Sequence, residues 1–174
     1  MIIKPMGLED APRIRDIDRS ETIGNVYSCA NGVLAETKSG HECPNWQEEE
    51  YNSMIARFEQ ELRMGGTAYG AYDGETLVGF GVLANTFRGK DRDQLQVDLM
   101  YVTRAYRRQG IGSRIMDALS EAAIAKGAKS LYISSTETES AVKFYASRGS
   151  ALTAEVDEEL FAKEPLDIHM IKRL

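Results

Sequence analysis

Arg107, Arg108 and Arg114 bracket two glycines, Gly110 and Gly112, in the run Val102-Thr103-Arg104-Ala105-Tyr106-Arg107-Arg108-Gln109-Gly110-Ile111-Gly112-Ser113-Arg114. These residue types at this spacing suit an anion. Without a Cβ, Gly110 and Gly112 let a diphosphate approach the main chain, and the arginines add formal charge beside it. Upstream, Val97 to Val102 alternates and is rich in β-branched and aromatic residues, the pattern of a strand. Downstream, Ile111, Ile115, Leu119 and Ala122 recur at the spacing of one helix face. A strand that feeds a glycine turn and then a helix leaves the first helical N–H groups without internal partners and aims the positive end of the helix dipole at the turn. Two nucleotide motifs are excluded: position 115 is Ile, so no GxGxxG begins at Gly110, and the chain holds no GxxxxGK[ST].

With its valine five residues ahead, Arg107-Arg108-Gln109-Gly110-Ile111-Gly112 reads as [Q/R]-x-x-G-x-[G/A] and resembles the signature of the GNAT superfamily of N-acetyltransferases. Within it, the streptothricin type is suggested by the C-terminal segment Asp167-Ile168-His169 with Arg173. The resemblance implies a cofactor, acetyl-coenzyme A, whose diphosphate rests on the turn, and it assigns Arg107, Arg108, Gln109, Gly110, Ile111, Gly112 and Ser113 to cofactor binding. It also implies that the strand end, at Met100 and Val102, pairs with the pantetheine arm as an added strand would, with an N–H there polarising the thioester carbonyl.

A second segment, Thr138-Glu139-Ser140-Ala141-Val142-Lys143-Phe144-Tyr145-Ala146-Ser147-Arg148-Gly149-Ser150, resembles the family's N-x-x-A-x-x-F-Y…G-F. Ala141, Phe144, Tyr145 and Gly149 match. Thr138 stands where the family has Asn, and Ser150 where it has Phe. Thr138, Ser140 and Lys143 are the cofactor contacts expected here. Tyr145 is the expected general acid, because a phenol with a pKa of about 10 keeps its proton until a thiolate is expelled. The attacking amine must be neutral, which asks for a carboxylate. Alternation places Gln96, Asp98, Met100 and Val102 on one strand face, and Asp98 is the carboxylate among them. Gln96 occupies the position where some relatives carry Glu. Asp98 is therefore the expected base.

Other groups carry weaker chemistry. His41 with Cys43 supplies two ligand types but no second pair, so no metal is expected. His169 lies between apolar neighbours on a terminal strand. Glu48-Glu49-Glu50 reads as a solvated helix face or the lining for a cationic acceptor, and Glu21 and Trp46 fall in segments that border the acceptor groove in the resembled family.

With 174 residues the chain suits one domain, 1–174, with a full core. A net charge of −6 speaks against a broad hold on nucleic acid, so no nucleic-acid partner is expected. Two cysteines form no framework, and no apolar run reaches the ~18 residues of a membrane span, so the expectation is a cytoplasmic protein with no membrane partner. The acceptor is expected to be a small-molecule amine. A protein amine, or a module that binds acetyl-coenzyme A without transfer, are the alternatives, and the resemblance allows a homodimer.

The elements that must position these groups read as follows. Strands are predicted at 1–6, 67–72, 76–84, 95–102, 130–134, 152–160 and 168–174, and helices at 8–20, 46–64, 111–126 and 140–147. Asn31-Gly32 marks a hairpin over about 26–36, with loop from 37 to 45. The order predicts an α+β fold, a mixed but mostly antiparallel sheet with helices on both faces, which is also the GNAT fold.

Overall fold

The computed structural model describes residues 1–174. Seven strands form one sheet: β1 (Ile2–Met6), β4 (Thr67–Asp73), β5 (Thr76–Leu83), β6 (Gln94–Val102), β7 (Ser130–Ser135), β8 (Ser150–Leu152) and β9 (Ile168–Arg173). They lie in the spatial order β1-β4-β5-β6-β7-β9-β8, and β2 (Glu21–Ala30) pairs with β3 (Val33–Cys43) as a separate hairpin. Every neighbouring pair in the large sheet is antiparallel except β6 and β7, which α2 (Ile111–Ala125) connects.

Each sheet face is covered. On one, Ile111, Ile115 and Leu119 of α2 pack against Val78, Leu95, Val97 and Ile133, together with Val142 and Tyr145 of α3 (Glu139–Ser147). On the other, a 3-10 helix (Leu8–Asp16) and α1 (Glu48–Arg63) bring Ile14 and Phe58 onto Leu77, Phe80, Val82 and Leu99. Gly81 lets α2 lie close to the sheet: a Cβ there would sit 2.8 Å from the Ile115 side chain. That approach brings the N-terminus of α2 up to the end of β6.

Three expectations are corrected. The first helix is a shorter 3-10 segment that ends at Asp16, with Pro12 inside it removing one internal donor. The hairpin is longer than 26–36, because Glu21, Thr22 and Ile23 pair with Cys43, Glu42 and His41. Most of β3 is solvent-exposed, so no apolar alternation marks that half as strand. Finally, 152–160 is not one strand. β8 stops at Leu152, and α4 (Glu158–Lys163) follows, capped by the Asp157 side chain accepting from Leu160 N–H at 3.0 Å. Asp157, Glu158 and Glu159 at its start and Lys163 at its end suit the helix dipole.

Candidate active site

The parallel pairing of β6 with β7 runs from Gln94↔Ser130 to Val97↔Ile133 and stops. Beyond it the two strands separate, and a cleft of about 590 Å³ opens between them. Thr103 N–H donates to Val78 C=O at 2.9 Å. By alternation Tyr101 faces β5 as well, which turns the main-chain groups of Met100 and Val102 toward the split. β6 therefore offers the cleft a strand edge that β7 does not occupy. Arg107 takes part of it: its Nε donates to Val102 C=O at 2.9 Å and its Nη2 to Arg19 C=O at 3.0 Å.

The turn closes one end of the cleft. Arg108 has φ 62° and Gly110 φ 78°, both left-handed. Such a conformation costs a non-glycine residue roughly 1 kcal/mol, and strain of this kind concentrates at functional sites. It fans the main chain outward. None of the N–H groups of residues 108–113 donates to an acceptor in the protein, whereas the next one, Arg114, bonds Gly110 C=O at 3.1 Å. Six consecutive free amides with Arg108 beside them fit a diphosphate. Gly112 sits against Phe144, 3.2 Å from where its Cβ would be, so a side chain there would crowd the amide row.

At the other end Tyr145 is 8% exposed, and its hydroxyl has no hydrogen-bond partner in the protein. Burial raises its pKa above the ordinary phenol value, with the charge of Asp167 adding to the effect, so it stays protonated at any physiological pH. Thr138 caps α3 by accepting from Ala141 N–H at 3.4 Å, and its hydroxyl lies 3.3 Å from that of Ser140. The hairpin forms the remaining wall: Tyr27 N–H donates to Glu137 C=O at 2.7 Å, and Val26 bridges to Thr138, which brings Ile23, His41 and Cys43 to the cleft.

A family model described as the acetyltransferase (GNAT) family matches residues 31–149. The chain belongs to that family. No match is found among curated proteins. The fold is similar to that of a nourseothricin acetyltransferase, at 21% identity and a TM-score of 0.73, over 99% of this chain and 97% of that one. It is similar to a protein described as a streptothricin acetyltransferase from Bacillus anthracis in complex with acetyl coenzyme A, at 17% identity and a TM-score of 0.70, over 99% of both chains. PaiA N-acetyltransferase from Thermoplasma acidophilum, in complex with coenzyme A, is similar at 17% identity and a TM-score of 0.64, over the full length of both.

Seen in this GNAT chain, the residues anticipated from sequence divide. Met100, Val102, Arg107, Arg108, Gly110, Ile111, Gly112, Ser113, Thr138, Ser140 and Tyr145 all border the cleft. Gln109 turns its side chain away, onto Ala105 C=O at 3.3 Å, and Lys143 is engaged by Glu139, one helical turn earlier. The Arg107 guanidinium is committed to two carbonyls and stands 3.9 Å from Glu21, so it ties the strand end to the Arg19 loop instead of supplying a free charge.

Asp98 departs most from expectation. Leu83 pairs with Val97 but Val82 with Leu99, so Asp98 is the extra residue of a β-bulge. The bulge reverses the alternation, and Asp98 faces α1, not the cleft. There Arg57 grips both carboxylate oxygens, at 2.9 Å and 2.8 Å. The pair commits the carboxylate to α1, and Asp98 lies off the cleft wall.

Sequence reasoning missed Tyr101 and Glu137. Tyr101 lies on the strand that was read correctly, but the bulge sets which way it faces. Trp46 is buried behind the cleft, with its ring 4.8 Å from that of Tyr101. His41 reaches the cleft wall bonded to Ser39, and Cys43 accepts from Arg19 Nη1 at 3.2 Å. His169 does not border the cleft: its Nδ1 lies 2.8 Å from the Tyr132 hydroxyl, and burial lowers its pKa. No three His, Cys, Asp or Glu side chains converge as metal ligands, and no helix is long and apolar enough to cross a membrane.

Proposed function

We propose that the protein moves the acetyl group of acetyl-coenzyme A directly onto a primary amine of a small molecule, with both substrates bound together. The observation that carries this reading is the row of free amides at residues 108–113, in one cleft with an open strand edge and Tyr145, whose hydroxyl has no partner in the protein.

In this reading the amides of Arg108 to Ser113 hold the diphosphate and the edge at Met100 and Val102 aligns the pantetheine arm. A free N–H on that edge stabilises the oxyanion that forms as the amine attacks. Thr138 and Ser140 border the arm from the start of α3. Tyr145 donates to the departing sulfur. No side chain here needs to carry the acetyl group, so the transfer is direct.

A small acceptor is supported by the hairpin, whose Ile23, His41 and Cys43 wall the cleft. It is also supported by the names of two structural neighbours, both acetyltransferases of antibiotics. We place the enzyme in the cytoplasm on the strength of its two free thiols, Cys29 and Cys43. A homodimer is proposed on the family resemblance, and its solution mass decides it.

The test is thiol release from acetyl-coenzyme A over a panel of streptothricin-type, aminoglycoside and polyamine acceptors. Turnover of at least one amine, with retention of cofactor binding and loss of turnover in Tyr145→Phe, is expected. Tight cofactor binding with no turnover on any small amine, but acetylation of peptide lysines or N-termini, would replace the small-molecule reading.

A further inference from the structure

With Asp98 locked onto Arg57, no residue so far described accepts the proton of the attacking amine. Two carboxylates that the cofactor side does not use stand at the β6–β7 split, Glu137 on the cleft wall and Asp167 outside its lining. Asp167 directly precedes β9. Its Oδ2 accepts from Ser134 Oγ at 2.7 Å, and Ser134 is the first β7 residue past the last pair with β6, Val97↔Ile133. Asp167 is therefore fixed beside the fork of the split. No Lys or Arg pairs with it.

Glu137 borders the cleft itself. Its main chain is pinned by Tyr27, while its side chain makes no hydrogen bond or ion pair. The other carboxylate on the cleft wall, Glu21, stands 3.9 Å from Arg107. A third observation points to a ligand at this end: the Tyr145 hydroxyl, on a residue 8% exposed, has no partner in the protein. On the cleft lining, that hydroxyl is free to bond a ligand.

We infer that Asp167 and Glu137 receive the acceptor as a cation, Glu137 holding positive charge at the cleft wall and Asp167, through one water, drawing the proton off the attacking nitrogen. This deepens the transferase reading above and rests on it. The step balances. The ammonium gives one proton to the Asp167 carboxylate, and the nitrogen lone pair forms the C–N bond as the thioester C–S bond breaks. The sulfur takes the Tyr145 proton, and the phenolate recovers the second proton shed by the nitrogen. Asp167 releases its own to solvent.

The surroundings of Asp167 favour this task. Burial raises its pKa above the usual aspartate range, as do the charges of Glu164, at the end of α4, and Glu137; Ser134 and His169 pull the other way. Its charge raises the pKa of Tyr101 on β6 and of Tyr145 on α3. A carboxylate so placed is a better base than an exposed one.

The test compares pH–rate profiles of the wild type, Asp167→Asn and Glu137→Gln, with cadaverine and pentylamine as acceptors. Asn can still accept from Ser134, so the fold is kept. Asp167→Asn is expected to lower kcat about 100-fold at neutral pH, with the KM for acetyl-coenzyme A unchanged, and the deficit should shrink as pH rises and the amine loses its proton unaided. Glu137→Gln should raise the KM for cadaverine about 10-fold and leave pentylamine nearly unaffected. Should Asp167→Asn misfold, Ser134→Ala, which frees the carboxylate, is expected to show a smaller deficit of the same pH dependence. Profiles parallel to the wild type in both, or equal KM effects on the two amines, would overturn the inference while leaving transferase activity intact. A wild type that turns over no amine would overturn both.

Discussion

The turn at 107–113 leaves the main-chain amides of six adjacent residues, 108 to 113, without acceptors, whereas other parts of the cleft wall are assembled from side chains of Glu21, His41, Tyr101 and Glu137, far apart in the chain. The two ends of one cleft are thus specified in different ways. The amide row depends on backbone shape, which Gly110, Gly112 and the packing of α2 dictate, and it tolerates change in the side chains around it. The proposed acceptor wall depends on side-chain identity. A fold built this way can keep one donor and change acceptors.

Breaking each end separately sharpens that contrast. The largest effect is expected at Tyr145: Tyr145→Phe should lower kcat by roughly 100- to 10,000-fold and leave the Kd for coenzyme A unchanged, as stopped assays and calorimetry would show. Next comes the amide row. Gly112→Val pushes a branched side chain toward Phe144, which already stands 3.2 Å from the Cβ position. Its Kd for coenzyme A should rise about 100-fold, the size expected when several charge-assisted hydrogen bonds are lost together. An unchanged Kd would mean that the diphosphate lies elsewhere.

Asp98→Ala separates structure from chemistry. Removing the partner of Arg57 should cost about 2 kcal/mol, seen as a Tm several degrees lower, with kcat near that of the wild type. A pH-dependent collapse of kcat instead would return Asp98 to the reaction. The smallest effect is expected at His169, which does not border the cleft. Its folded pKa lies below the unfolded value of 6.5 because burial disfavours the charged ring. As pH falls below about 6.5 the unfolded chain binds more protons than the folded one, so stability declines in that direction. His169→Gln should flatten the fall in Tm between neutral and mildly acid pH.

The difference between the ends also explains what could be read from the sequence. The amide row was legible because backbone sites demand local signals: the alternation of β6, the glycines at 110 and 112, and the periodicity of α2. α1 was legible for the same reason, from Tyr51, Ile55, Phe58 and Leu62 on one face. Failures occurred where long-range pairing decides the structure. The bulge at Asp98 exists only because β5 and β6 pair out of step, and alternation within β6 alone points the carboxylate the wrong way. The lower half of the hairpin is exposed and polar, so nothing in its pattern distinguishes strand from loop. Asp167 reaches the fork through Ser134, 33 residues away, a contact no spacing rule reveals. At 158–163 local signals are present, in Asp157 and the acidic first turn.

The claim on which the account turns is that free main-chain amides bind the donor. The most direct measurement is a titration of the 15N-labelled protein with coenzyme A, followed by amide chemical shifts. The resonances of Arg108 to Ser113 are expected to move together, and inorganic pyrophosphate to shift the same set more weakly. Saturable binding that leaves those six amides in place while moving others would contradict it.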